Sequence, residues 1–540
     1  MIYPFSPSNL MKQQLLWLYR QSRGHRIQLM LGVALGLLNI LLGLSFIYVS
    51  KGLVDIATGQ RMGDMWHMVG VLASLLVLRL AVMAWRQWVN GRVNIRMTND
   101  LRHRLFLQVM NSRWQGRESM ASGDVMSRLG EDLRVLVKSI CTDVPAVIMA
   151  LFQLLAASWF LFTMQPALLW VLLIIMPVAL VLSKVYYRTM RRLTKQLRQE
   201  EADIQSQMQE SVQNRPLLLS LQRVGLMGEK LLSLQSRLFG TYSERLHFSI
   251  RTRIFIQAGF SLGYYTAFVW GAHGIMVGAV TYGMMTAFLQ LVAQVQHPIL
   301  ELSSLLPDLV QSMTAVERLQ SIDSMPQEEP MDSATDLRHI DLHDVSFHYP
   351  QDDRIVISHL SYDFPEGSST AIVGPTGSGK STLVRMLLQL LQPTDGTILT
   401  SRSSICYVPQ GNSLLRGTIR ENLQLGKLDA SEEEMREALH RASADFVFDL
   451  PAALDTRCGE KGSGLSEGQA QRIAIARALL QPGGILIMDE ASSALDPDTE
   501  RQILQDLQHH ELGKTLIWVT HHEAVRQYME RCLVVEPNYS

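Results

Sequence analysis

The chain has 540 residues, 47% of them hydrophobic, and its 49 basic and 50 acidic residues leave a formal net charge of -1. That length has room for more than one domain, and that balance argues against a nucleic-acid binder, which needs an excess of Lys and Arg on its surface. The apolar excess is concentrated in the first half. Six stretches appear in order, at about Ile27 to Val49, Met65 to Trp85, Val144 to Met164, Ala167 to Val185, Ile254 to Val280 and Tyr282 to Leu305. Each approaches the ~20 residues with which a helix crosses a bilayer, and six in series are incompatible with a soluble fold. The first has no convincing cleavage site and is followed by further spans, so it reads as an anchor and not as a removable signal.

Lys12, Arg20, Arg23 and Arg26 precede the first stretch, and Arg92, Arg96, Arg102, Arg104, Arg113, Arg117, Arg128 and Arg134 lie between the second and third. The connections around Gln165 and Thr281 carry no Lys or Arg. The positive-inside rule therefore predicts both termini on the cytoplasmic side. The long loops, Val89 to Asp143 and Tyr186 to Thr252, keep apolar periodicity at Leu101, Leu105 and Val109 and at Leu218, Leu221 and Leu231. They are predicted to continue the spans as helices. In the sixth span Gln290, Gln294, His297 and Glu301 share one helical face, which either lines a polar cavity or hydrogen-bonds neighbouring helices. Asn39, Arg79 and Gln153 carry the same two readings, Arg79 with the further option of snorkelling toward the cytoplasmic interface. PQEEPMDSAT, Pro326 to Thr335, is polar, Pro-punctuated and aperiodic, which predicts domains at 1–325 and 338–540 with a linker at 326–337. The 4 cysteines, Cys141, Cys406, Cys458 and Cys532, have no metal-like spacing, and reduced thiols are expected.

The second half is dense in motifs. GPTGSGKST, Gly374 to Thr382, follows the strand-like Thr370 to Val373 and precedes a helical pattern at Leu383, Met386, Leu387 and Leu390. In that setting Gly374, Pro375, Thr376, Gly377, Ser378 and Gly379 let the backbone curl its N–H groups toward an anion. Lys380 supplies a point charge, and Ser381 with Thr382 opens the helix. Downstream come VPQ at Val408 to Gln410, LSEGQ at Leu465 to Gln469, ILIMDE at Ile485 to Glu490, SALD at Ser493 to Asp496, and His521 after TLIWVT. Read alone, His521 beside His522 would be an ordinary surface pair. Its place after an apolar strand gives it a functional reading.

These six motifs in this order resemble the nucleotide-binding domain of the ABC transporter family: Walker A, Q-loop, signature, Walker B, D-loop and H-loop. With the spans, the chain resembles an exporter-type half-transporter, an α-helical six-span transmembrane domain followed by an α/β P-loop ATPase domain. The resemblance implies ATP and Mg²⁺ as cofactors, the metal held through Ser381, Gln410 and Asp489. It implies Glu490 as general base, His521 on the γ-phosphate, Gln410 as its sensor and Lys380 on the phosphates. It also implies Tyr349 stacked on adenine, with Phe347 on the same face as a competitor. LSEGQ departs from the commoner LSGGQ at Glu467. Ser466, Gly468 and Gln469, with Asp496, are implied to act on nucleotide held by another subunit, so a homodimer is expected, or else a dimer with a paralogous half. SRWQGRESMASGDVMSRLGEDL from Ser112 and QESVQNRPLLLSL from Gln209 resemble exporter intracellular loops, with coupling helices implied around Trp114 to Ser122 and Val212 to Pro216. The expected location is the bacterial inner (plasma) membrane, and the expected activity is ATP-driven export of an amphipathic, peptide, lipid or drug-like substrate. Without a peptidase-like region before the first span, trimming of a leader peptide is not expected, and the early stop after RCLVVEP predicts no regulatory tail.

Overall fold

A computed structural model describes residues 16–114, 122–328, 337–349, 354–459, 464–509, 513–521 and 523–537. Most of the implied coupling region at Trp114 to Ser122, the greater part of the 326–337 linker, and His522 lie outside them. The chain divides into two compact units, Met1–Leu107 with Val125–Ser324, and Gln108–Asp124 with Met325–Ser540.

The first unit is helical. Its long helices are α1 (Arg26–Ala57), α2 (Met65–Met110), α3 (Val144–Met164), α4 (Pro166–Gln213), α5 (Val224–Met276) and α6 (Tyr282–Asp323). Among the described residues Arg26–Ala57, Met65–Met110 and Gly123–Met164 have the length and apolarity to cross a membrane. At 1.5 Å per residue the 46 residues of α2 extend about 69 Å, far beyond a ~30 Å hydrocarbon core, so the predicted loops are continuations of the spans. Ile47 of α1, Leu161 of α3, Ala267 of α5 and Phe288, Leu291 and Val292 of α6 pack into one apolar core. The N-terminal end of α6 is fixed by two side chains. Thr281 caps the helix by accepting from the Met284 N–H at 3.0 Å, and buried Asp55 of α1 accepts from the Gly283 N–H at 3.0 Å. A Cβ at Gly283 would collide with Asp55 and the Lys51 carbonyl, so the two helices approach as closely as they do because that residue is glycine.

The second unit is built on two sheets. Strands β1 (Ile340–His348), β2 (Ile355–Phe364) and β4 (Asp395–Leu399) form an antiparallel sheet in the order β2-β1-β4. Strands β3 (Ser369–Val373), β5 (Ile405–Val408), β6 (Ile485–Asp489), β7 (Thr515–Val519) and β8 (Arg531–Val534) form a parallel sheet in the order β8-β3-β7-β6-β5. All residues of β6 and β7 are buried, as expected where helices or a second sheet cover both faces of a parallel sheet. Each fully buried aliphatic such as Ile487 or Ile517 contributes roughly 1.5–3 kcal/mol to that packing. One core lies between the sheets and contains Phe364, Ile372, Leu383 and Leu387, with Trp114 and Tyr349 at its margin. The other packs Trp518, Met488 and Leu486 against Ile473, Ile475 and Leu504.

Parallel register levels the strand ends: Ile372 stands opposite Val519, Val519 opposite Asp489, and Met488 opposite Val408. The loops that follow β3, β7, β6 and β5 therefore emerge side by side, about 4.8 Å per strand, along the carboxyl edge where α/β sheets hold their ligands.

Candidate nucleotide-binding and catalytic site

The loop after β3 runs from Gly374 into helix α7 (Lys380–Leu387). Gly379 has φ +100°, and a Cβ there would stand 3.1 Å from Val356, so this turn requires glycine. Lys380 is 7% exposed and donates from Nζ to the carbonyls of Gly374 at 2.7 Å and Pro375 at 3.0 Å, which closes the loop into a ring. Ser378 Oγ is buried in the same loop without a hydrogen-bond partner. A helix N-terminus with orphan N–H groups, an enclosed ammonium and an unpartnered hydroxyl form a donor set suited to phosphate oxygens. Tyr349, just beyond β1, is half-buried and its hydroxyl lies 3.0 Å from Thr382 Oγ1. Its ring meets Phe347 edge-on with centroids 5.0 Å apart, and Phe347 is buried in the core, which leaves Tyr349 as the partly accessible face of the pair.

Three side chains converge at the next two loops. Glu490 follows β6 with φ +47°, its N–H donating to the Val519 carbonyl at 3.0 Å. Gln410 donates from Nε2 to Glu490 Oε2 at 2.5 Å, and His521 Nδ1 lies 3.6 Å from Glu490 Oε1. Gln410, Glu490 and His521 thus surround one position although 111 residues separate the first from the last (521 − 410). Asp489 ends β6 at 6% exposure. Burial pushes its carboxyl up, an effect opposed by a hydrogen bond from the Tyr407 hydroxyl at 3.2 Å and reinforced by the neighbouring Glu490 charge. Asp489 with the exposed Ser381 hydroxyl and the Gln410 amide offers oxygen donors, the set that suits Mg²⁺.

The LSEGQ segment is organised by its own helix, α8 (Glu467–Leu479). Ser466 Oγ accepts from the Gln469 N–H at 3.2 Å and Gln469 Oε1 accepts from the Ser466 N–H at 2.9 Å, a reciprocal capping box. A Cβ at Gly468 would stand 2.8 Å from the Ala494 carbonyl oxygen, so this helix end is seated on the SALD loop. Gln471 ties the same loop by donating to Ser493 at 3.3 Å and accepting from the Ala494 N–H at 3.2 Å. Asp496 caps helix α9 (Pro497–His509), accepting from the Thr499 N–H at 2.9 Å and its hydroxyl at 2.8 Å, and these bonds hold its carboxyl below the usual range. Among the described residues no hydrogen bond or ion pair joins Ser466, Gly468 or Gln469 to Gly374–Thr382 of the same chain.

Tyr407 and Arg385 were not singled out by sequence. Tyr407 pairs with Ile487, so its side chain shares a face with Asp489 two residues on. That relation depends on strand order, which no local pattern gives. Arg385 on α7 stacks at 4.9 Å over the Trp114 ring and acts electrostatically on Asp489. Trp114 belongs to a short segment held against the core of the second unit, where the Arg113 N–H donates to the Pro326 carbonyl at 2.8 Å and the Glu328 N–H to the Asn111 carbonyl at 2.9 Å.

Two family descriptions match the chain, "ABC transporter transmembrane region" over residues 29–299 and "ABC transporter" over residues 357–493. An ATP-dependent lipid A-core flippase of Desulfotalea psychrophila is 28% identical over 466 residues, covering 82% of this chain and 81% of that protein. The mitochondrial iron-sulfur clusters transporter ATM1 of Kluyveromyces lactis is 33% identical over 287 residues, 49% of this chain and 40% of its own. A solved structure described as a bacterial Atm1-family ABC exporter with ATP bound superimposes with a TM-score of 0.77 at 22% identity, covering 96% of this chain and 94% of that one.

Proposed function

The chain belongs to the ABC transporter family, as an exporter half-transporter with membrane and ATPase regions in one polypeptide, and on that premise we propose that it hydrolyses ATP in paired copies to export an amphipathic substrate. The observation that carries the hydrolytic reading is Glu490, turned out of its strand by a left-handed backbone and held between Gln410 and His521.

In this reading Tyr349 stacks on the adenine, and the loop Gly374–Thr382 with Lys380 binds the phosphates. Ser381, Gln410 and Asp489 would hold Mg²⁺, which supplies charge neutralisation on the β- and γ-phosphate oxygens. Glu490 takes a proton from the attacking water, Gln410 limits its rotation, and His521 orients the γ-phosphate end of the site. Phosphoryl transfer asks for positioning and charge more than covalent chemistry, and these groups provide both. Ser466, Gly468, Gln469 and Asp496 complete the site from a second copy, which the self-contained seating of α8 on Ala494 supports. A second copy of the same chain is the simplest partner, because it carries both halves of the composite site. The arginines flanking the spans support a cytoplasmic ATPase in a bacterial inner membrane. The named relatives handle unlike cargoes, so they support export without choosing a substrate.

The test is ATP turnover of the protein in lipid discs against Glu490→Gln. The expected outcome is a loss of at least 100-fold in turnover with ATP binding retained. Turnover within a factor of a few of the wild type would remove Glu490 from the role of base.

A further inference from the structure

Strand pairing brings Tyr407 to a single carboxylate. Strand β5 runs parallel to β6 with Tyr407 opposite Ile487, so its side chain lies on the face that carries Asp489 two residues further along. The offset is about 4.8 Å across the strands and ~3.3 Å per residue along them, within reach of a tyrosine hydroxyl. The ring is packed against the core between the sheets, which fixes its direction. Its hydroxyl meets Asp489 Oδ2 at 3.2 Å, and it is the donor, since an ionised carboxylate only accepts.

Among the described residues the Asp489 carboxylate receives no other hydrogen bond. Two cations, Arg385 and Lys380, act on it electrostatically without bonding it. Lys380 gives its Nζ to the carbonyls of Gly374 and Pro375, and the Arg385 guanidinium lies over the Trp114 ring at 4.9 Å. A buried carboxylate is ordinarily paired with a cation or bound to a metal. This one, at 6% exposure, is bonded by a neutral donor, which orients it without neutralising it.

Orientation matters because a carboxylate turns about its last torsion in a broad, two-fold well, so an isolated aspartate presents no fixed oxygen. A hydrogen bond on Oδ2 sets the plane of the group and leaves Oδ1 for another partner. Phenylalanine at 407 would fill the same space and lose only that bond.

We propose that Tyr407 is a positioning residue of the Mg²⁺ site: by holding Oδ2 it presents Oδ1 of Asp489 in a fixed direction, and it thereby sets the preference of the site for Mg²⁺ over Ca²⁺. Mg²⁺ demands near-ideal octahedral geometry, whereas Ca²⁺ accepts more oxygens in flexible arrangements, so a misplaced carboxylate oxygen penalises the smaller ion more. The inference rests on the ATPase reading and adds a residue of strand β5 to its metal site.

The experiment uses the full chain in lipid discs, with Glu490→Gln to keep bound ATP intact. Mn²⁺ is titrated into protein holding one ATP per site, bound metal is read from the loss of the free-ion signal in electron paramagnetic resonance, and Mg²⁺ and Ca²⁺ are added as competitors. Tyr407→Phe is expected to weaken Mg²⁺ by about tenfold or more, the usual consequence of removing an outer hydrogen bond from a metal ligand, and Ca²⁺ by much less. The affinity for a fluorescent ATP analogue in excess chelator should stay within a factor of two, which shows the nucleotide loop intact. With Glu490 restored, Tyr407→Phe should raise the Mg²⁺ concentration for half-maximal turnover by a similar factor, while turnover at saturating Mg²⁺ falls far less. Equal weakening of the two ions, or unchanged Mg²⁺ binding, would overturn the assignment. So would a loss of metal-free ATP binding as large as the loss of Mg²⁺, because the hydroxyl would then serve the fold alone. Asp489→Asn separates this inference from the reading beneath it. Loss of Mn²⁺ there with full retention in Tyr407→Phe removes Tyr407 only, whereas retention in Asp489→Asn removes Asp489 as a ligand and Tyr407 with it.

Discussion

Glu490 owes its position to a conformation that non-glycine residues adopt at a cost of order 1–3 kcal/mol. Continuing β6 for one more residue would carry its side chain along the sheet. The left-handed turn instead brings it to Gln410 on one side and His521 on the other. Asp496 illustrates a cheaper arrangement, because a capping carboxylate is favoured where it stands. Its pKa is depressed by the Thr499 hydrogen bonds, so its contribution to stability is complete above the ordinary carboxylate range and is lost as pH falls through the lowered value. Asp496→Ala should therefore lower the melting temperature of the protein at pH 7, with the gap to the wild type narrowing on acidification. Thermal melts at several pH values check this, and a gap that widened in acid would contradict the sign. The motif residues were legible because each stands in a short local pattern. Tyr407 was not, because a tyrosine in a buried strand has no local signature until the neighbouring strand is known.

Element by element, sequence pattern and structure agree where a single physical cause dominates. The apolar stretch read at Val144 to Met164 coincides with α3, since the end of hydrophobicity and the end of the helix at Gln165 fall together. The stretch read at Met65 to Trp85 is less than half of α2, because amphipathic and apolar segments share one unbroken helix and only the apolar part announces itself. Strand order was not legible: β3, β7, β6 and β5 neighbour one another in space while far apart in the chain. The seating of α8 on Ala494 is a second long-range fact, and it makes Gly468 a critical contact. Gly468→Ala is expected to overpack this junction by about 1–3 kcal/mol and to displace the SALD loop. A lower melting temperature together with reduced turnover should follow, whereas Ala substituted at exposed Gly228, a helical position with open space around it, should lower neither.

At the scale of the whole molecule the proposed composite site makes a prediction that no single chain can satisfy. A Lys380→Ala copy has a disabled phosphate loop and an intact signature, and a Ser466→Phe copy has the opposite. Each variant alone should show no significant turnover. Mixed by coexpression they should recover a substantial part of it, since one of the two sites in a mixed pair joins the intact loop of one copy to the intact signature of the other. Turnover measured on the doubly tagged, purified pair checks this, and failure to recover would point to sites completed within one chain.

The boundary between the halves of the polypeptide is a different line from the boundary between its folded units. Residues 108–124 precede four of the long helices in sequence yet group with the unit that follows the linker, where Trp114 stacks on Arg385, and Glu328, bonded to Asn111, pairs with Arg402 at 2.9 Å. A single protease cut in the linker would therefore not release a free ATPase. The severed pieces would stay fastened, like a drawer kept on its runner, by a tongue that belongs to one piece by covalent bond and to the other by packing.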